Sequence, residues 1–191
     1  MDGWDGYAAS RARLLDALAA NKARGGDALV ISGDVHAFWA ADLRRESQGP
    51  AVATEFVGGA ITSPGIVDRA ASTEAQRVAA AAPADAAVLA NNPHMAYANQ
   101  AYKGYCILEA GAGQLNVRYQ AVHEHRDPNS GVFTLRRFRV DSGRPVVVAL
   151  GSSRTNLAVS PADLGIGPVN WPGRPAAEPL AFNFATFAGG P

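Results

Sequence analysis

The apolar run Ala28-Leu29-Val30-Ile31, passing into Gly33-Asp34-Val35-His36 and preceded by a helical stretch closed at Gly25-Gly26, constrains the fold more than any other segment. Between Ala8 and Arg24, Leu14, Leu15, Leu18 and intervening alanines recur at helical spacing, with Arg11, Arg13, Lys22 and Arg24 available for the wet face. Ala28 to Ile31 reads as a short strand buried on both faces, so helix, strand and turn form an α/β unit. A carboxylate and an imidazole on the turn would project from the strand's C-terminal end, where open α/β sheets place their ligands. Carboxylate oxygen and imidazole nitrogen suit iron, zinc or manganese. Read on its own, the same turn equally fits an Asp capping its own backbone beside a partly buried His.

Further along, Ala51 to Val57 is β-favouring, and Gly58-Gly59 lets the backbone pass close to a bulky neighbour. Thr73 to Ala90 is Ala-rich and interrupted by Pro83, which predicts two short helices. Tyr105 to Ala110 and Gln114 to His123 predict a hairpin around Gly111-Ala112-Gly113, with Val117, Tyr119, Ala121 and His123 on one face. Phe133 to Val140 adds a strand. Beyond Pro145 the texture turns to Gly, Pro, Ala and Asn, which divides the chain into a folded portion, 1–145, and a tail, 146–191, without a stable fold of its own. Within that tail Val146 to Leu150 could add a strand, Gly151-Ser152-Ser153 reads as a turn, and Leu180 to Phe187 could dock through its phenylalanines.

Composition narrows the function classes. Hydrophobic residues make up 48% and charged residues 18%, values of a globular chain with a real core. Seventeen basic residues balance seventeen acidic ones, so no global field draws nucleic acid or an anionic membrane. No apolar stretch approaches the ~20 residues that span a bilayer. The N-terminal residues lack the basic and apolar regions of an export signal, and the localisation stays open. The single cysteine, Cys106, rules out an intrachain disulfide and a cysteine-cluster metal site, and reads as a small core residue. Neither a Gly-x-x-x-x-Gly-Lys-[Ser/Thr] loop nor a Gly-x-Ser-x-Gly elbow occurs, which removes P-loop and serine-hydrolase chemistry.

An ordered series of segments narrows the reading: Trp4-Asp5-Gly6-Tyr7, Arg11-Ala12-Arg13-Leu14-Leu15, Val30 to Leu43 with Gly33-Asp34-Val35-His36 inside it, Val52 to Ser63, Asn92-Pro93-His94, Lys103-Gly104-Tyr105, Phe133-Thr134-Leu135 and Asp141 to Pro145. In that order and spacing, over residues 4 to 145, the chain resembles the C-terminal half of the alkaline phosphatase D (PhoD-like) metallophosphatases. The resemblance implies an α/β fold, part of a calcineurin-like β-sandwich flanked by helices and truncated at its N-terminal side. It also implies that Asp34 and His36 are metal ligands, that the metals are iron and calcium, and that the substrate is a phosphate ester attacked by metal-activated hydroxide. The family's remaining ligand motifs lie upstream of the segment matched by Trp4 to Tyr7. The expectation is therefore a C-terminal portion of a phosphatase or phosphodiesterase, inactive alone and partnered by a missing N-terminal half. The alternative is a non-enzymatic interaction module retained from a metallophosphatase.

Other side chains carry two readings each. Asp42 and Glu55 are candidates to support the ligands or face the phosphate, against the commoner solvated or capping carboxylate. Trp4, Tyr7, Phe38 and Trp39 could wall an entrance, although sealing core is the stronger reading. His123-Glu124-His125 places two imidazoles on one side of a strand, an arrangement that can bind metal, but a partly exposed strand end is preferred. His94 carries no specific signal.

Overall fold

The computed structural model describes residues 4–69 and 71–157. The chain divides into two compact units, Met1–Ala158 and Val159–Pro191; the second, with the Leu180 to Phe187 segment, lies outside the described residues. Within the first unit a 3-10 turn at Trp4–Gly6 leads into helix α1 (Ala8–Ala23), which buries only Leu15. Strands β1 (Leu29–Ser32), β2 (Phe38–Arg44), β3 (Ala51–Val57) and, after helix α2 (Glu74–Asn91), β4 (Met95–Asn99) form one sheet in the order β1-β3-β2-β4. Among the described residues only the β1–β3 pairing is parallel. The second sheet is antiparallel, ordered β5 (Lys103–Ala110), β6 (Gln114–Val122), β7 (Val132–Asp141) and β8 (Arg144–Ala149), with β9 (Ser153–Leu157) also paired to β7. The result is an α/β fold of one mixed and one antiparallel sheet with helices beside them.

The β5–β6 hairpin keeps the expected turn, with Ala110 opposite Leu115 and the Gly111 N–H donating to the Gln114 carbonyl at 2.9 Å. Alternation along β6 sends Val117, Tyr119 and Ala121 inward, all fully buried. They meet Phe38 and Phe56 from the first sheet, with Phe133 and Phe138 from β7. Tyr119 lies at the centre, its ring 4.9 Å from Phe38 and 5.0 Å from Phe138. Two polar ties cross between the sheets: the Tyr119 hydroxyl donates to the Trp39 carbonyl, and the Val147 N–H donates to Asp42 Oδ1 at 2.9 Å. Each satisfies a polar group that burial would otherwise strand.

Two expectations change in the structure. β1 is not buried on both faces: it is an edge strand paired only with β3 among the described residues, and Leu29 and Ile31 are 38% and 64% exposed. A run of aliphatics dictates a strand but not its neighbours on either side. Thr73 to Ala90 is one helix rather than two, running through Pro83. Proline deletes one backbone hydrogen bond there, yet the helix is held on both sides of the break. A Thr73–Gln76 capping box starts it, Arg77 binds the His123 carbonyl, and Asp85 accepts from the Gln100 N–H at 3.0 Å. The strand foreseen over Val146 to Leu150 is present as β8, and β9 carries the sheet on to Leu157.

Candidate functional site

The turn from Gly33 to Ala37 leaves the C-terminal end of β1, crosses the end of β3 and enters β2. Small residues permit the crossing: the Gly58 N–H donates to the Ser32 carbonyl at 2.9 Å, and a Cβ on Gly59 would stand 3.0 Å from the Phe38 ring. The turn is tight. The Val35 N–H donates to the Gly33 carbonyl at 2.9 Å, closing a γ-turn around Asp34, whose φ is 71°. That is the rare, strained form of the γ-turn. His36 follows with φ 53°, so the two residues singled out from the sequence are the non-glycine residues with positive φ among the described residues. Left-handed backbone at non-glycine residues costs about 1–3 kcal/mol each and clusters at functional sites.

Asp34 is exposed and His36 partly so. His36 Nδ1 lies 2.9 Å from the Pro64 carbonyl oxygen. A carbonyl only accepts, so Nδ1 carries the proton and the neutral ring keeps its lone pair on Nε2. The turn thus offers one carboxylate and one imidazole nitrogen, a donor pair that fits a hard or borderline cation in type. It does not fit in number: among the described residues no group of three or more His, Cys, Asp or Glu side chains could hold a metal ion.

Beside this turn, Glu55 accepts from Ser32 Oγ at 2.7 Å, buttressing the strand end that carries the turn. Asp42 is neither solvated nor near the turn's donors; it is buried and spent on Val147 and on Arg44 at 3.3 Å. Phe38 is core, whereas Trp4 and Tyr7 are more than half exposed and seal nothing. Burial pushes the Cys106 thiol up to about 12, in keeping with a packed, unreactive core position. His94 lends only its carbonyl, to the Asp42 N–H.

The two imidazoles of His123-Glu124-His125 lie past the end of β6 and part company. His123 stacks 4.6 Å from Phe133 and approaches Glu74 at 3.4 Å. His125, contrary to the expected exposed strand end, has a side chain only 3% exposed. It belongs to a buried charged cluster that sequence reasoning did not pick out, formed with Asp68, Arg77 and Lys103. Lys103 Nζ meets Asp68 Oδ2 at 2.9 Å with both side chains fully buried, and Arg77 holds Glu124 at 2.9 Å. The available signal was a lysine at the start of the strand, ahead of the apolar Cys106-Ile107-Leu108.

This cluster contributes to the acid side of stability. Burial pushes the Asp68 carboxyl up, but the Lys103 ammonium and the Gly65 N–H outweigh it and hold the group below its ordinary 3.8. Burial holds the His125 imidazole below its ordinary 6.5 against the pull of Asp68 and Glu124. Below pH 6.5 the unfolded chain therefore takes up a proton that folded His125 refuses, and stability falls from there to the folded value. The Asp68 contribution is present above 3.8 and is lost as pH falls through its folded value. Thermal melts across this range should show both losses. His125→Phe should flatten the upper one only; an unchanged slope below pH 6.5 in that variant would assign the effect elsewhere.

A family model described as PhoD-like phosphatase matches residues 1–119, more than half of the chain. This chain belongs to the PhoD-like phosphatase family. Alkaline phosphatase D of Bacillus subtilis (strain 168) is 30% identical over 142 residues, covering 72% of this chain and 22% of that protein. A solved structure described as "Structure of PhoD" aligns with a TM-score of 0.62 at 26% identity, over 79% of this chain and 27% of that one. The two sheets are consistent with the calcineurin-like metallophosphatase fold, and the PhoD-like chain spans about a quarter of the length of these relatives. No helix among its described residues is long and apolar enough to cross a membrane.

Proposed function

We propose that this PhoD-like unit is by itself a non-catalytic module of a metallophosphatase. It presents Asp34 and His36 as two metal ligands and takes up, along β1, a segment of metallophosphatase chain that carries the others. The observation that carries this reading is the state of β1. Its outer edge is unpaired among the described residues, Ile31 is 64% exposed, and a cavity of about 240 Å³ opens between the sheets against Leu29, Thr54, Leu115 and Val140. An added strand would satisfy the edge's backbone groups and contribute about 1.5–3 kcal/mol for each aliphatic side chain it fully covers.

A second reading applies once such a segment is in place: hydrolysis of a phosphate ester. The strained turn favours it, because positive φ at the non-glycine residues Asp34 and His36 is the kind of backbone strain that clusters at functional sites. Asp34 and His36 would then hold a metal, iron with calcium being the choice that family membership supports. The chemistry such an ion would supply, once further donors completed the site, is acidification of water and neutralisation of charge on the phosphoryl oxygens. Pro64 fixes the His36 tautomer, and Ser32 with Glu55 steadies the strand end.

The purified chain should show no turnover of p-nitrophenyl phosphate or bis(p-nitrophenyl) phosphate above the metal-only blank, with iron and calcium supplied. Two protein ligands cannot position a metal well enough to activate water and grip phosphate together. Robust turnover abolished by Asp34→Ala and by His36→Ala would show the site to be complete and the module reading wrong.

A further inference from the structure

We infer that the buried Asp68–Lys103 pair is the positioning device for His36, acting through the Pro64–Gly65 peptide. The carbonyl of Pro64 and the N–H of Gly65 belong to one planar trans unit and point in opposite directions. Asp68 Oδ2 grips the N–H end at 2.6 Å, and His36 Nδ1 meets the carbonyl end at 2.9 Å. Fixing one end therefore aims the other. Asp68 Oδ2 is itself held by Lys103 Nζ at 2.9 Å, inside a region with no room for error. A Cβ on Gly65 would stand 3.0 Å from Lys103 Nζ, 3.2 Å from the His36 carbonyl oxygen and 3.4 Å from Asp68 Oδ2.

Lys103 opens β5, and its neighbour Gly104 donates to the Ala60 carbonyl at 2.8 Å, so the second sheet anchors the loop that orients an imidazole of the first. Charge explains the choice of residues. A fully buried carboxylate and ammonium persist only as a pair, and the paired carboxylate accepts a short, strong bond from the Gly65 N–H. The device leaves Nε2 of His36 as the unprotonated nitrogen. Its use by a metal rests on the proposed ligand role of His36; the tautomer itself does not.

Long-range ¹H–¹⁵N correlation spectra of the full-length chain, recorded at about pH 8 where an ordinary imidazole is neutral, read the tautomer directly. The wild type should show His36 protonated at Nδ1 with Nε2 bare. Asp68→Leu combined with Lys103→Met replaces the pair by apolar side chains, a change often neutral or stabilising, so the fold should persist while the grip on Gly65 is gone. The Nδ1–H form should then fall from dominant to minor, in favour of the Nε2–H form that a free imidazole prefers. Asp68→Asn with Lys103→Gln keeps an acceptor for the Gly65 N–H and should restore the wild-type pattern. A wild-type His36 protonated at Nε2, or a Leu/Met variant with an unchanged tautomer, overturns the inference. Zinc titration followed in the same spectra separates the two claims: a tautomer that responds as described while zinc never shifts the His36 ring upholds the positioning device and removes the ligand role.

Discussion

Co-expression with the part of Bacillus subtilis alkaline phosphatase D that lies outside the 142 matched residues is expected to turn an inactive chain into a metal-dependent hydrolase of p-nitrophenyl phosphate. The added chain would pair with the open edge of β1, cover Leu29 and Ile31, and bring further donors to Asp34 and His36, so that folding, association and metal binding are coupled. Replacing groups that merely support a metal ligand costs about 10–100-fold, so removing two ligands together should cost more than about 100-fold. Asp34→Ala with His36→Ala is therefore the control that ties activity to this turn. Stable association without hydrolysis at any metal concentration would leave the interaction module standing and remove the catalytic reading. Failure to associate, with this chain behaving as an indifferent monomer, would remove both.

Gly104→Ala should cost the first unit about 2–6 kcal/mol, a large share of its stability. Gly104 has φ +152°, and a Cβ there would fall 1.9 Å from the Gln120 carbonyl oxygen across the β5–β6 ladder. Backbone strain of about 1–3 kcal/mol and overpacking of about 1–3 kcal/mol combine against a domain stability of about 5–15 kcal/mol. The site would suffer as well, because the Gly104 N–H holds the Ala60 carbonyl and Lys103 holds Asp68. Gly143→Ala is the matched comparison: its φ is +76°, but nothing lies within 4 Å of the added methyl. That variant should lose only about 1–2 kcal/mol. Urea midpoints measure both, and equal midpoints for the two alanine variants would show that the close approach to Gln120 relaxes at no cost.

What could be read from the sequence was local. The β5–β6 hairpin follows from alternation and a glycine-flanked turn, both properties of adjacent residues, and α1 from the spacing of Leu14, Leu15 and Leu18. The order of short segments around Gly33-Asp34-Val35-His36 led to the PhoD-like family because chemistry at a strand end depends on a few side chains in fixed succession. Tertiary structure alone decided what lies beside what. Aliphatic composition made Ala28 to Ile31 a strand, but only the strand order leaves β1 at an edge with Ile31 exposed. Pro83 predicts a break wherever helix propensity acts alone; capping at Thr73 and anchors at Arg77 and Asp85 override it. Asp42 looked like a surface carboxylate until β8 brought Val147 to it across 105 positions of chain. The path from Lys103 through Asp68 and the Pro64–Gly65 peptide to His36 joins a strand of one sheet to a turn of the other, and no periodicity encodes it. Local propensity acts between neighbours in the chain, whereas burial, pairing and hydrogen-bond satisfaction act between neighbours in space.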